Sequence, residues 1–144
     1  LLSLSVLGTA KDTELLSKEI IPFNFNQSPP SNAVPAGDMH VLGGSVANNV
    51  VGRPVQWQFM KDNWDAVITK LGNPVVVDRY INLSLSRFTD VAVVDDIEKF
   101  MADKDTSSFN RTLGTVKDKI RGRAAYRERD AEKLKEWLNA HGYA

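Results

Sequence analysis

The chain has 144 residues, 42% of them hydrophobic, with 18 basic and 18 acidic side chains and no cysteine. Ordinary apolar content and zero net charge exclude global disorder, and they lack the basic excess of a nucleic-acid binder or of a protein drawn to an acidic membrane surface. Without cysteine there is no disulfide scaffold, no thiol nucleophile and no thiolate metal site, and a reducing compartment fits.

No stretch reaches the roughly 18 apolar residues that span a bilayer, and no signal peptide is visible. The opening LLSLSVLG starts on Leu1 as if inside a helix, so the N-terminus reads as a cut edge of a larger protein. Residues 1–7 are read as the end of a helix, with Gly8 as its stop. Asp12 is a good N-cap for a helix through Leu15, Leu16, Glu19 and Ile20, which Pro22 is expected to end. Residues 24–37, rich in Asn, Ser, Pro and Gly, read as a long surface loop.

Asp38 is expected to cap the next helix, with Met39, Val41, Leu42 and Val46. Its Gly43-Gly44 pair costs about 1 kcal/mol per glycine against alanine, which close packing on a neighbouring helix would explain. Residues 48–54 form a turn into a new helix with Pro54 in its first turn. Trp57, Met60, Trp64, Val67, Ile68 and Leu71 then recur at three- and four-residue steps, giving one apolar stripe closed by Gly72.

Segment 75–87 begins β-branched (Val75, Val76, Val77), but Arg79, Tyr80, Leu83, Arg87 and its helical neighbours favour a helix. Thr89 is the expected cap of the following helix, with Val93, Ile97, Phe100 and Met101 on one face. Thr106 opens another, through Phe109, Leu113, Val116 and Ile120. Leu134, Trp137 and Leu138 share a face of the last helix, with a junction expected at 127–130. The sum is an all-α chain of about seven or eight helices, too short to stand alone in water and so stacked as antiparallel pairs.

Catalytic chemistry is missing. His40 and His141 lie far apart, and neither sits in the H-E-x-x-H spacing that places two imidazoles on one helix face for zinc. No catalytic residue and no metal ligand is assigned. The Asp95-Asp96-Ile97-Glu98 cluster is read as acids favouring a helix N-terminus rather than as a metal site. The basic run 117–129 is interleaved with Asp118 and Glu128, so it reads as a solvated helix face. Trp57 and Trp64 are read as core, and three N-x-S/T sequons, at Asn26, Asn82 and Asn110, as chance.

The block SVANNVVGRPVQWQFMKDNWD, residues 45–65, resembles a signature of the C-terminal domain of zinc aminopeptidases, the puromycin-sensitive, alanyl and antigen-trimming enzymes. Further similarities follow in order. Residues 7–12 look like the family's LG-x-x-KD turn, Ser86-Arg87-Phe88-Thr89 like its S-x-F-T, and Phe100-Met101-Ala102 like its FF-A segment. Arg127-Glu128-Arg129-Asp130 with Trp137-Leu138 resembles its final helical pair, and residues 139–143 look most like fungal cytosolic members.

The resemblance implies an irregular α-superhelix, HEAT- or armadillo-like, with residues 1–144 forming the last part of a non-catalytic C-terminal domain. It implies zinc in the parent's catalytic domain and none here. It also implies the remaining parent domains as partners, a peptide substrate met indirectly, no nucleic acid and no membrane, and a cytoplasmic location, with secretion the lesser alternative. In the family this domain caps the active-site chamber. The turn before the Trp-bearing helix nears that chamber in some members, which makes Asn48, Asn49 and Arg53 the peptide-chamber candidates. The competing reading is an independent helical interaction module or antigenic fragment.

Overall fold

Side-chain caps decide where three of the described helices begin. A computed structural model describes residues 2–25 and 34–143, and every regular element among them is helical. Helix α1 is Leu2–Leu7. Asp12 Oδ1 accepts hydrogen bonds from the Glu14 and Leu15 N–H groups and starts α2, Thr13–Leu15. Such a cap contributes about 1 kcal/mol.

Pro22 does not end this helix. The chain widens into a π turn, Leu16–Ile20, and continues as α3, Ile21–Phe25. The Ile21 N–H bonds the Leu16 carbonyl five residues back, just before the proline. A proline ring crowds the carbonyl four residues earlier, and a widened turn is a known way to absorb such a conflict. Asn24, expected on a surface loop, is instead buried, and its Nδ2 donates to the Met39 carbonyl at 3.0 Å. Most of the remaining expected loop, 26–33, lies outside the described residues.

A 3-10 turn, Ala36–Asp38, leads into α4, Met39–Asn48, and Asp38 makes no side-chain cap. That turn already bonds the Asp38 and Met39 N–H groups to the Pro35 carbonyl, which leaves the carboxylate little to satisfy. Helix α4 packs on α1 and, most extensively, on α7 (Pro74–Leu85). The close approach is made at Gly43: a β-carbon there would fall 2.5 Å from Tyr80 Cε2. At Gly44 the same atom would meet only Leu83 Cδ1, at an ordinary 3.8 Å.

The Trp-bearing stripe belongs to two helices, not one. Helix α5 runs Gly52–Asp62 and α6 runs Trp64–Leu71. Between them Asn63 leaves helical geometry (φ −126°, ψ 28°), and both its N–H and its Nδ2 donate to the Phe59 carbonyl. This is the local competition that makes Asn a poor interior helix residue. Gly72, at φ +62°, closes α6 as expected. Asn73 Oδ1 then caps α7 through the Val75 N–H, with Pro74 at the first helical position, so the β-branched run is helical.

Helix α8 is Val91–Met101, capped by Asp90 through the Ala92 N–H rather than by Thr89. The last helix, α9, is Asn110–Ala140. It begins after a turn in which the Phe109 N–H bonds the Thr106 carbonyl. It runs without the expected junction at 127–130, because residues 123–140 contain no Gly or Pro and are rich in Ala, Arg, Glu, Lys and Leu, the best helix formers. With the stretch from α2 to α3 taken as one, eight helices stand among the described residues.

Two apolar clusters hold them. The larger unites Met39 with buried residues of α5 to α9, and the smaller joins Leu16, Ile20 and Ile21 to Leu42 and Val46. Leu4, Phe23, Phe25 and Phe59 pack against both. A buried polar group sits among them: Gln56 Nε2 donates to Ser84 Oγ at 2.7 Å and lies 3.5 Å from the Tyr80 hydroxyl. Burial pushes the Tyr80 hydroxyl pKa up, against hydrogen bonds with Asn24 and Ser84 that pull it down. The match is one-sided, since the buried Gln56 Oε1 has no hydrogen-bond partner among the described residues.

Candidate functional site

The turn between α4 and α5 carries the three candidate chamber residues, and the structure separates their roles. Asn49 is a tie. Its Nδ2 donates to the carbonyls of Gly8 (3.1 Å) and Ala10 (2.5 Å), while its Oδ1 accepts from the Val51 N–H. It thus fastens the turn after α1 to the turn after α4. The hydroxyl of Ser45 reinforces the same junction by donating to the Ser5 carbonyl.

Arg53 is partly committed as well. Its Nε donates to the Ala47 carbonyl at 2.8 Å, one of the carbonyls left open at the end of α4, and its Cζ stands 5.7 Å from the Phe88 ring centroid. Burial, then the charges of Arg123 and Arg87, push its pKa below the ordinary guanidinium value. Asn48 is exposed and lines an open cleft with Ser5, Val6, Thr9, Ser45 and Asn49. Of the three it is the residue whose side chain is left to meet something else.

The acidic cluster works across helices rather than on its own helix dipole, because α8 has no acid in its first turn. Asp96 Oδ2 accepts from Trp57 Nε1 at 2.7 Å and from Lys61 Nζ at 2.9 Å. Burial pushes the Asp96 carboxyl up, but those two hydrogen bonds and the charges of Lys61 and Lys99 outweigh it and hold its pKa below the usual carboxylate value. Glu98 pairs with Lys117 (3.0 Å) and Arg121 (3.3 Å) of α9, and the hydrogen bond and charge of Lys117 lower its pKa first. The basic run is therefore partly consumed by α8. Trp57 and Trp64 both meet the edge or face of Phe100, with centroids 5.4 Å away in each case, as core residues do.

His40 Nδ1 lies 2.7 Å from the Gly37 carbonyl, and His141 Nδ1 lies 2.7 Å from the Trp137 carbonyl. Among the described residues no group of three His, Cys, Asp or Glu side chains can hold a metal ion. The residues present do not fit a zinc centre, so no chemical step is routed through one. No helix among the described residues is long and apolar enough to cross a membrane.

What these elements define is a helical domain built around a two-part core, with its polar side chains spent mainly on joining helices. Residues 2–122 match the ERAP1-like C-terminal domain. Alanine/arginine aminopeptidase of Saccharomyces cerevisiae is 27% identical over 157 residues, covering 99% of this chain and 16% of that protein. Aminopeptidase 2, mitochondrial, of the same yeast is 27% identical over 117 residues, covering 72% of this chain and 12% of the relative. Aminopeptidase M1-B of Oryza sativa subsp. japonica is 30% identical over 82 residues, covering 57% and 9%.

The chain belongs to the ERAP1-like C-terminal domain family, the non-catalytic part of aminopeptidases of this kind. It spans between 9% and 16% of the length of these three relatives.

Proposed function

We propose that this chain is the last part of the C-terminal helical domain of a zinc aminopeptidase that removes N-terminal residues from peptides, and that it helps cap the chamber in which the peptide is held. The match of residues 2–122 to the ERAP1-like C-terminal domain carries this reading. In it the zinc and the catalytic groups belong to another domain of the parent, and the parent's remaining domains are this chain's partners. The enzyme works in the cytoplasm. Asn48 is the residue that faces the chamber; Asn49 and Arg53 shape the turn that presents it. A stack of helices offers a broad inner surface, and closing such a surface over a site excludes water and strengthens electrostatics within.

The test uses the parent enzyme with Asn48→Ala in place. The expected result is a KM for long peptides raised about threefold, with hydrolysis of a single aminoacyl-nitroanilide unchanged, because only the longer substrate reaches the domain. Chelator-sensitive hydrolysis of an aminoacyl-nitroanilide by the pure 144-residue chain would overturn the non-catalytic assignment.

A further inference from the structure

Helix α6, the start of α7 and the turn 103–108 between α8 and α9 line a cleft of about 640 Å³. That size lies within the range of about 300–1,000 Å³ usual for small-ligand sites. Its apolar wall is made by Trp64, Ile68, Val77 and Phe109, with the Trp64 and Phe109 ring centroids 6.2 Å apart. Trp64 is 9% exposed, yet its indole N–H donates to no acceptor among the described residues, whereas that of Trp57 is bonded to Asp96. Nor is that nitrogen sealed in the core. The rim is acidic. Asp103 is matched by Lys104 at 2.8 Å. Asp65, on α6, and Asp105, on the turn, form no ion pair among the described residues, and Asp105 meets only the neutral Ser107. The lining groups thus carry three carboxylates against one ammonium, in a chain whose net charge is zero.

We propose that this cleft binds the basic side chain of a peptide, an arginine or a lysine, with its cation at Asp65 and Asp105 and its stem along Trp64 and Phe109. A guanidinium or ammonium group is attracted both to carboxylates and to aromatic rings, tryptophan best of all. The methylene stem of such a side chain buries against apolar surface while its head stays with the charges. The unmatched indole N–H and the Ser108 hydroxyl are left as partners for carbonyls of the peptide that carries it. A neutral aliphatic side chain fits the wall but gains nothing from the rim, and an acidic one is repelled by it. The cleft shares no lining residue with the one at Asn48, so this site stands apart from the chamber reading.

The experiment follows the indole N–H resonances of the 15N-labelled chain during titration with Nα-acetyl-arginine amide at low salt. The expected result is a saturable shift at Trp64 in the millimolar range, with Trp57, bonded to Asp96, and Trp137, on the exposed end of α9, unmoved. Nα-acetyl-norleucine amide, which keeps the stem and lacks the charge, is expected to bind about tenfold more weakly. Asp65→Asn and Asp105→Asn each weaken the arginine probe about threefold. Asparagine caps a turn as aspartate does, so both variants keep the fold. Lys104→Gln releases Asp103 and tightens binding about threefold, a gain that a damaged fold would not give. The proposal is overturned if the arginine probe does not saturate, if the norleucine probe binds as tightly, if Trp137 shifts equally, or if neither aspartate variant weakens binding.

Discussion

The two halves of α9 are one helix by backbone and two different objects by packing. In the first half Phe109, just before the helix, and Leu113, Val116 and Ile120 are buried against α7 and α8. In the second half Tyr126, Leu134 and Trp137 stand more than half exposed, at 64%, 57% and 52%. The family match ends at residue 122, close to this division. The first half is helical because a face is buried, whereas the second is helical by propensity and by side-chain pairs along its own surface, among them Lys135 with Glu132, three residues apart. At 31 residues the helix is about 46 Å long, so its second half reaches well beyond the elements that support the first.

This contrast is open to attack from both sides. Ile120→Ala removes a fully buried side chain and is expected to cost about 2–5 kcal/mol in denaturant unfolding. A cost below about 1 kcal/mol would mean that the first half is not held as described. Gly43→Ala, in the layer beneath, drives a methyl group into Tyr80 and is expected to cost about 1–3 kcal/mol, while Gly44→Ala costs nothing or stabilises.

Asp96→Asn weakens the lock between α5 and α8 by about 1 kcal/mol at pH 7, a value discounted for the exposure of the carboxylate. The sign of its pH dependence is fixed by the lowered carboxyl pKa. The Asp96 contribution is fully present above the unfolded carboxylate value of about 3.9 and is lost as pH falls through the lower folded value. Chemical denaturation of the pair of proteins across pH 2–7 reads this directly: the curves converge in acid, and a gap that widened there would contradict the assignment. Smallest of all, Leu134→Ala should change stability by no more than about 0.5 kcal/mol.

Where residues carried a local physical signal, the sequence was readable. Asp12 caps its helix, Gly72 stops one, and the Val75–Val77 run is helical because the Asn73 cap and Pro74 precede it. The break at Asn63 was hidden for a geometric reason. Trp57 and Trp64 are seven residues apart, nearly two full turns, so the apolar stripe stays in phase across the interruption. Thr89 and Asp90 are adjacent residues that can both cap a helix, and the stronger capper of the two, Asp90, takes the position.

The junction expected at 127–130 rested on no helix breaker, and the chain has none there. The turn at 48–54 was legible from its local residues, but the division of labour between Asn48, Asn49 and Arg53 depends on Gly8, Ala10 and Phe88, which no spacing rule brings to them.

The distribution of the three tryptophans has an optical consequence. Trp57 and Trp64 are buried and both pack edgewise with Phe100, while Trp137 lies on the exposed half of α9, stacked on His141. Emission will therefore change on unfolding mainly through the first two, and iodide will quench mainly the third in the native protein. Circular dichroism counts both halves of the last helix alike. A melt in which ellipticity falls before emission shifts would record that helix fraying from its far end while the body of the chain is still closed.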